Sequence, residues 1–256
     1  MMGRAIWKGN IRFGGIDVPV KLHTAVREER IQFHLLHRRD HVKLQQQMIC
    51  AHEKVPVPAE EQTRGFELAE GKYLLIDPDE LELTEPEGSR AIEVHEFVKS
   101  GQIDPLFLER TYYLEPDVHE KGYNALAAAM AEMGVDGICT WTMRKRSYFG
   151  ALAINGKILR LKTLRHADEL IPVSSLELPD IALSEKELRI GGELINQLTA
   201  PFQPEKFENE HQKKLRQLID QKARGEKIVL LRPRRLKPTS SDKLLDALEA
   251  SLKKVA

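Results

Sequence analysis

Thirty consecutive residues, 137–166, contain neither Asp nor Glu. The run reads GICTWTMRKRSYFGALAINGKILRLKTLRH. It carries Arg144, Lys145, Arg146, Lys157, Arg160, Lys162 and Arg165, a charge of +7 in a chain whose net charge is zero. Asn155-Gly156 falls between two apolar-rich segments, and both residues tolerate the positive φ of a tight type I′ turn, so the run predicts a β-hairpin. With a two-residue loop at Asn155-Gly156, Ile154 faces Lys157, Leu152 faces Leu159, Ala151 faces Arg160 and Phe149 faces Lys162. Side chains alternate along a strand. Leu152, Leu159 and Leu161 therefore share an apolar face with Cys139, Trp141 and Met143. Ala151, Ala153, Arg160 and Lys162 share the other with Thr140, Thr142, Arg144 and Arg146. Cations standing beside small side chains let a large polyanion approach closely, and phosphate is the anion that Lys and Arg neutralise with release of counterions.

The zero total conceals alternating blocks. Residues 1–50 carry nine Lys/Arg against four Asp/Glu, and residues 51–136 carry seven against twenty. Residues 167–210 carry three against ten, and residues 211–256 carry thirteen against five. Such blocks predict separate basic and acidic surfaces, a basic channel with an acidic exterior, rather than a protein that coats nucleic acid everywhere. At 256 residues the chain is long enough for a substantial core in one or two domains. No stretch has the apolar length of a membrane span, and the opening residues lack the apolar region of a signal peptide. Two cysteines, Cys50 and Cys139, give no disulfide framework and suit a reducing cytosol. No internal repeat is apparent.

Near the N-terminus, RAIWKGNIRFGGIDVPVKL predicts two short strands broken at Gly14-Gly15, with Pro19 at a strand edge or start. Arg4, Lys8, Arg12 and Lys21 make it a second basic contributor. This run resembles the opening of the bacterial Ku family, homodimeric DNA-end-binding proteins of non-homologous end joining. The matching residues are Arg4 to Gly9, Ile11, Phe13-Gly14 and Val18 to Leu22. Further matches follow in the family's order: Phe33 to His37, Ile92-Glu93, Phe97-Val98, Ile103 to Pro105, Tyr112 to Asp117, Thr163 to Glu169 and Phe202 to Phe207. Together they span nearly the whole chain.

The resemblance implies a mixed α and β fold: a central β-barrel over residues 1–180, an extended bridge at about 27–72, a helical arm at 181–225, and a basic tail with a terminal helix at 226–256. It implies a homodimeric ring around double-stranded DNA. The bridge region is Gln-rich and poorly periodic, which predicts strands and loops, and it adds Arg38, Arg39, Lys43 and Arg64 to the candidate phosphate contacts. The full candidate set is Arg4, Lys8, Arg12, Arg38, Arg39, Lys43, Arg64, Arg144, Arg146, Arg160 and Lys162. His34, His37, His41, Cys50 and His52 fit no zinc-ligand spacing, so no metal is expected. Many relatives carry C-x-x-C where this chain has Cys50-Ala51-His52-Glu53.

Residues 73–116 are acidic, with strands at YLLID and AIEVHEFV and turns at Asp77-Pro78 and Pro86-Glu87-Gly88. Asp77, Asp79, Glu80, Glu82 and Glu85 raise the alternative of a metal-dependent nuclease, although they lack regular spacing and a companion base. A generic DNA-coating protein is the other alternative. Asp117 with Glu120 reads as a capping box opening a helix that ends at Met133 before Gly134, with Tyr123, Leu126, Met130 and Met133 buried. Residues 170–183 read as an extended connector. Ser184 with Glu187 caps a helix bearing Leu188, Leu194, Ile195 and Leu198. Pro204 opens another, presenting Phe207, His211, Leu215, Leu218 and Lys222 and ending at Gly225. In the tail, Leu244, Leu245, Leu248 and Leu252 form the stripe of a short amphipathic helix, which is marginal alone and needs a surface to bind. The resemblance gives that surface to an ATP-dependent DNA ligase D. No motif for nucleotide hydrolysis, acyl transfer or metalloprotease chemistry is present, so no enzyme activity and no cofactor are expected. The partners implied are DNA ends, a second copy and the ligase, in the bacterial cytoplasm at the nucleoid.

Overall fold

The computed structural model describes residues 4–118, 120–177 and 184–225. The chain divides into two units: residues 1–29 with 33–173, and residues 30–32 with those from 174 onward.

The first unit is built on a closed seven-stranded barrel. Its strands are β1 (Trp7–Phe13), β2 (Ile16–Thr24), β5 (Ala91–Lys99), β6 (Leu108–Pro116), β7 (Val135–Met143), β8 (Arg146–Asn155) and β9 (Ile158–Leu164). Two more strands, β3 (Arg64–Ala69) and β4 (Lys72–Ile76), form a separate two-stranded sheet. Barrel order is β1-β2-β6-β9-β8-β7-β5, and β5 returns to β1 as a short parallel pair. An odd number of strands cannot close with antiparallel pairs alone, so one parallel pair is required. Closure also removes the open edges that invite unwanted strand pairing.

Strand alternation sends one face inward. Ile11, Leu22, Ile92, Cys139, Leu152, Leu159 and Leu161 are all fully buried there. Each large apolar side chain removed from water in this way contributes about 1.5–3 kcal/mol. Trp141 stacks on Tyr148, with ring centroids 5.4 Å apart and planes 12° from parallel. Gly150 makes that stack possible, because a Cβ there would lie 2.6 Å from the Trp141 ring and collide with the Lys162 carbonyl.

The hairpin forms, but its register is shifted by two residues from the expected one. Asn155 pairs with Ile158, Ile154 with Leu159, Leu152 with Leu161 and Ala151 with Lys162. The loop is therefore Gly156-Lys157, with Gly156 at φ +61°. A shift of two preserves the face of every side chain, so the apolar and basic faces keep the composition expected of β9. The β7–β8 turn differs. Arg144 and Lys145 form a two-residue turn at φ +53° and +62°. Arg146 pairs opposite Met143, which puts it in register with the inner face rather than with Thr140 and Thr142.

The N-terminal pair is as expected, with Gly14 and Gly15 turning at positive φ. Pro19, however, lies within β2. The β2–β6 ladder ends at Val20 opposite Pro116, so the proline stands just where no partner on that side needs an N–H. Asp77-Pro78 begins α1 (Pro78–Leu83) rather than a turn. The Asp77 N–H donates to Glu80 at 2.9 Å, and Pro78 takes the first helical position, where its missing N–H costs nothing.

The next helix, α2 (Glu120–Met133), buries Tyr123, Leu126, Ala127 and Met130 against the barrel core. It ends at Gly134 with φ +62°. Two expectations fail here. Asp117 is not in the helix cap, since its carboxylate is engaged by Lys8 and Lys21. Met133 is 73% exposed, because the helix ends before that turn reaches the core. The Tyr123 hydroxyl donates to the Leu114 carbonyl at 2.7 Å and accepts from the Leu159 N–H at 2.8 Å. It thus joins β6 and β9 at the last pair of their ladder.

In the second unit, Ser184 and Glu187 cap α3 (Glu185–Leu198) reciprocally, as expected. Pro204–Lys206 is a separate 3-10 turn, and α4 (Glu210–Ala223) starts later, where the Asn209 side chain accepts the Gln212 N–H at 3.0 Å. Asn at the cap outcompetes Pro204 because its oxygen satisfies an otherwise unpaired donor.

Candidate nucleic-acid interface

Strand register decides which cations share a surface. On the outward face of β9, Arg160 lies between Ala153 of β8 and Tyr113 of β6, and Lys162 between Ala151 and Thr111. Flanking alanines leave room for the long stems to lie on the sheet. Arg160 does so closely enough that its Nε is buried without a hydrogen-bond partner. Among the described residues, neither Arg160 nor Lys162 has a carboxylate within 4 Å.

The same outward face on β1 and β2 is balanced instead. Lys8 and Lys21 stand 3.3 and 2.9 Å from Asp117, and Arg12 stands 3.1 Å from Asp17 and 3.0 Å from Glu93. The Lys21 and Lys8 ammonium groups hold the Asp117 carboxyl below the usual carboxylate range. Asp17 and Glu93 push the Arg12 guanidinium up. In the β7–β8 turn, Lys145 reaches Glu85 at 2.7 Å and Glu82 at 3.7 Å, which raises its pKa, while Arg144 beside it is exposed.

The remaining candidates lie elsewhere. Arg4 is exposed ahead of β1, and Arg64 opens β3. Arg38 and Arg39 occupy the turn closed by the Leu36–Lys43 bridge. Leu244, Leu245, Leu248 and Leu252 lie outside the described residues. Arg165, counted with the basic run, is committed to the fold: it donates to the Leu106 and Leu108 carbonyls at 2.9 and 2.6 Å. Asp117 and Glu93 are distant in sequence and gave no local signal of pairing with Lys8, Lys21 and Arg12, whereas Asp17 stands opposite Arg12 across the Gly14-Gly15 turn.

Two turns in the 37–54 region have one geometry. His37 N–H donates to Val42 and His41 N–H to His37, as Cys50 N–H does to Val55 and Lys54 N–H to Cys50. His41 and Lys54 both take positive φ. Asp40 accepts the Val42 N–H and pairs with His37, which lowers its pKa. Among the described residues, no three His, Cys, Asp or Glu side chains gather as a metal site. No helix among them is long and apolar enough to cross a membrane.

The segment spanning residues 33–75 has a further property that composition concealed. Phe33, Leu35, Val42, Met48, Ile49, Phe66, Leu68, Tyr73 and Leu75 are each more than half exposed. Every residue of β3, and all of β4 but Ile76, is exposed.

Comparison with known proteins places this geometry. The family model described as the Ku70/Ku80 beta-barrel domain matches residues 12–190. The protein named Non-homologous end joining protein Ku 2 from Geotalea uraniireducens (strain Rf4) is 72% identical over the full length of both chains. Non-homologous end joining protein Ku from Anaeromyxobacter sp. (strain K) is 37% identical, over 98% of this chain and 86% of its own. The Mycobacterium tuberculosis (strain ATCC 25618 / H37Rv) protein of the same name is 32% identical, over 98% of this chain and 95% of its own. A closed barrel of this order, matched through most of its length and shared with relatives aligned end to end, shows that the chain belongs to the Ku family.

Proposed function

We propose that two copies of this chain close into a ring on the ends of double-stranded DNA, without reading sequence, and present those ends for joining in double-strand break repair. The observation that carries the reading is the exposed apolar surface between residues 33 and 75. Single exposed apolar residues are ordinary on a protein surface, whereas this many within one segment mark an interaction surface. A two-stranded sheet with no core of its own is marginal. A second copy supplies the cover, because a two-fold interface places the same patch on both sides. In the second unit, Leu188, Ile195, Leu198, Phe202 and Phe207 are also strongly exposed and suit the same partner.

Affinity comes from cations without local acids, with Arg160 and Lys162 foremost and Arg144, Arg146, Arg38, Arg39, Lys43, Arg64 and Arg4 contributing. Lys8 and Arg12 contribute less, since phosphate must displace a carboxylate from each. Phosphate contacts position a protein on the duplex without carrying sequence information, which suits a protein that must accept any broken end. The reading includes an ATP-dependent DNA ligase D as the partner of the terminal Leu244–Leu252 stripe. It gives the chain a scaffold's role, without catalysis, in the bacterial cytoplasm.

The test is the mass of the particle in solution and on DNA. Light scattering is expected to give a dimer, and a short linear duplex one dimer per end, with equal affinity for unrelated sequences. Phe66→Glu with Leu75→Glu is expected to yield monomers that lose the duplex at the same salt. A monomeric wild type, or a monomeric variant that holds the duplex as well as the wild type does, would overturn the ring.

A further inference from the structure

We propose that Glu85, supported by Glu82, holds the place of a DNA phosphate at the β7–β8 turn and yields it to the backbone when duplex binds, which makes Lys145 a latent DNA contact. The proposal rests on the reading of this chain as a DNA binder, and it adds a contact that the fold itself keeps covered. The Lys145 ammonium stands 2.7 Å from Glu85 and 3.7 Å from Glu82. Both acids come from the segment 77–90, which joins β4 to β5. They meet the turn at a recess of about 440 Å³ whose walls include Trp7, Glu85, Ser89, Arg90, Arg144 and Lys145.

The recess gathers more cations than its acids engage. Among the described residues, neither Arg90 nor Arg144 has a carboxylate within 4 Å, and both line the space that Glu85 enters. A phosphodiester, with its pair of free oxygens, can take donors from two such groups at once. The clasp is also open to exchange. The Lys145 side chain is 66% exposed and that of Glu82 73%, and ion pairs this exposed hold little against a competing anion. The backbone marks the turn in another way. Arg144 and Lys145 sit at φ +53° and +62°, the conformation for which tight hairpin turns prefer Asn and Gly. Non-glycine residues keep that conformation where their surroundings hold it, and the pair with Glu85 is one such hold on Lys145. Finally, the turn lies within reach of the basic row on β9. Lys145 precedes Ala151, the partner of Lys162, by about 20 Å along β8. One helical turn of duplex is about 34 Å, so one duplex can meet both.

The test uses the full chain and one linear duplex, with anisotropy followed across a salt series. Wild type is compared with Glu82→Gln/Glu85→Gln, with Lys145→Ala, and with all three changes together. The glutamine variant is expected to bind more tightly at low salt and with a steeper slope. One uncovered cation in each copy of the proposed ring, at about 0.9 each, steepens the slope of log K against log salt by about 1.8. Between about 50 and 200 mM salt the variant then loses roughly 12-fold more affinity than the wild type. Adding Lys145→Ala is expected to remove the whole increase. An increase that survives Lys145→Ala overturns the proposal, because the acids would then act through their field and not through this contact. No increase at all also overturns it, and leaves the clasp as a fastening of segment 77–90. A second measurement reads the contact without an affinity: acylation of Lys145 by acetic anhydride, located by mass spectrometry. In the glutamine variant Lys145 is expected to be acylated faster than in the wild type and to be protected by duplex. Equal acylation with and without bound duplex overturns the contact. Failure of wild type and variants alike to bind duplex overturns the DNA reading and this proposal with it, a result distinct from binding in which Lys145 plays no part.

Discussion

Replacing Arg160 and Lys162 by alanine should change the salt dependence of DNA binding by a defined amount. Both stand on the outward face of β9 without an acidic neighbour. A cation free of a carboxylate releases counterions when it meets phosphate. One already paired exchanges one anion for another and releases fewer. In the proposed ring, two such residues in each of two copies make four contacts, and at about 0.9 each the slope of log K against log salt falls by about 3.6. Over a rise from about 50 to 200 mM salt, the variant then loses roughly 150-fold less affinity than the wild type. The fold should tolerate the change, because truncating Arg160 also removes a buried Nε that has no partner. The assay is fluorescence anisotropy on one linear duplex across a salt series, with Lys8→Ala/Arg12→Ala measured alongside. That pair, held by Asp117, Asp17 and Glu93, is expected to lower the slope less. An Arg160/Lys162 variant that binds more weakly at every salt with an unchanged slope would refute the reasoning, since the residues would then act through the fold and not through phosphate.

Three further outcomes follow from the structure. Tyr123→Phe leaves the Leu114 carbonyl and Leu159 N–H without their shared hydroxyl, and should cost roughly 2–4 kcal/mol in urea unfolding at fixed protein concentration with m unchanged; a loss below about 1 kcal/mol would mean that the two strands close the gap themselves. Asp117 is held below its usual pKa by Lys21 and Lys8, so its stabilisation is present above the unfolded value near ~3.9 and is lost as pH falls through the lower folded value. Melting curves of the wild type and Asp117→Asn should therefore converge on acidification, and a constant gap would contradict the pairing. Burial pushes the Cys139 thiol up to about 12, whereas the Glu53 and His52 backbone N–H groups lower that of Cys50; mass spectrometry after native alkylation should find Cys50 modified and Cys139 protected until urea is added.

What could be read in the sequence was what depends on neighbours along the chain. The hairpin, the Gly14-Gly15 break, the Ser184–Glu187 cap and the Gly134 stop all rest on local backbone chemistry. The hairpin's exact turn did not, because Asn155-Gly156 and Gly156-Lys157 both put Gly156 at a position of positive φ, and the pairing of Leu152 with Leu161 and Leu114 with Leu159 chose between them. Asp117 misled for a related reason. Its spacing to Glu120 is that of a cap, but Lys8 and Lys21 arrive from β1 and β2 and take the carboxylate. For the interface, sequence showed where cations concentrate and not which are free. Arg12 has Asp17 opposite it in its own hairpin, but only the barrel order brings Glu93 to it and, among the described residues, no carboxylate to Arg160. The apolar surface of residues 33–75 was hidden too, since scattered Phe, Leu and Met in a polar segment do not reveal that the fold leaves them outside.

The most direct measurement compares retention on a linear duplex with retention on the same DNA as a covalently closed circle, at near-physiological salt. A ring that loads by threading should hold the linear form and ignore the circle. It should be lost through a free end and kept when that end is blocked by a bulky group. Equal binding to line and circle would contradict the ring and leave a protein that coats the duplex from one side.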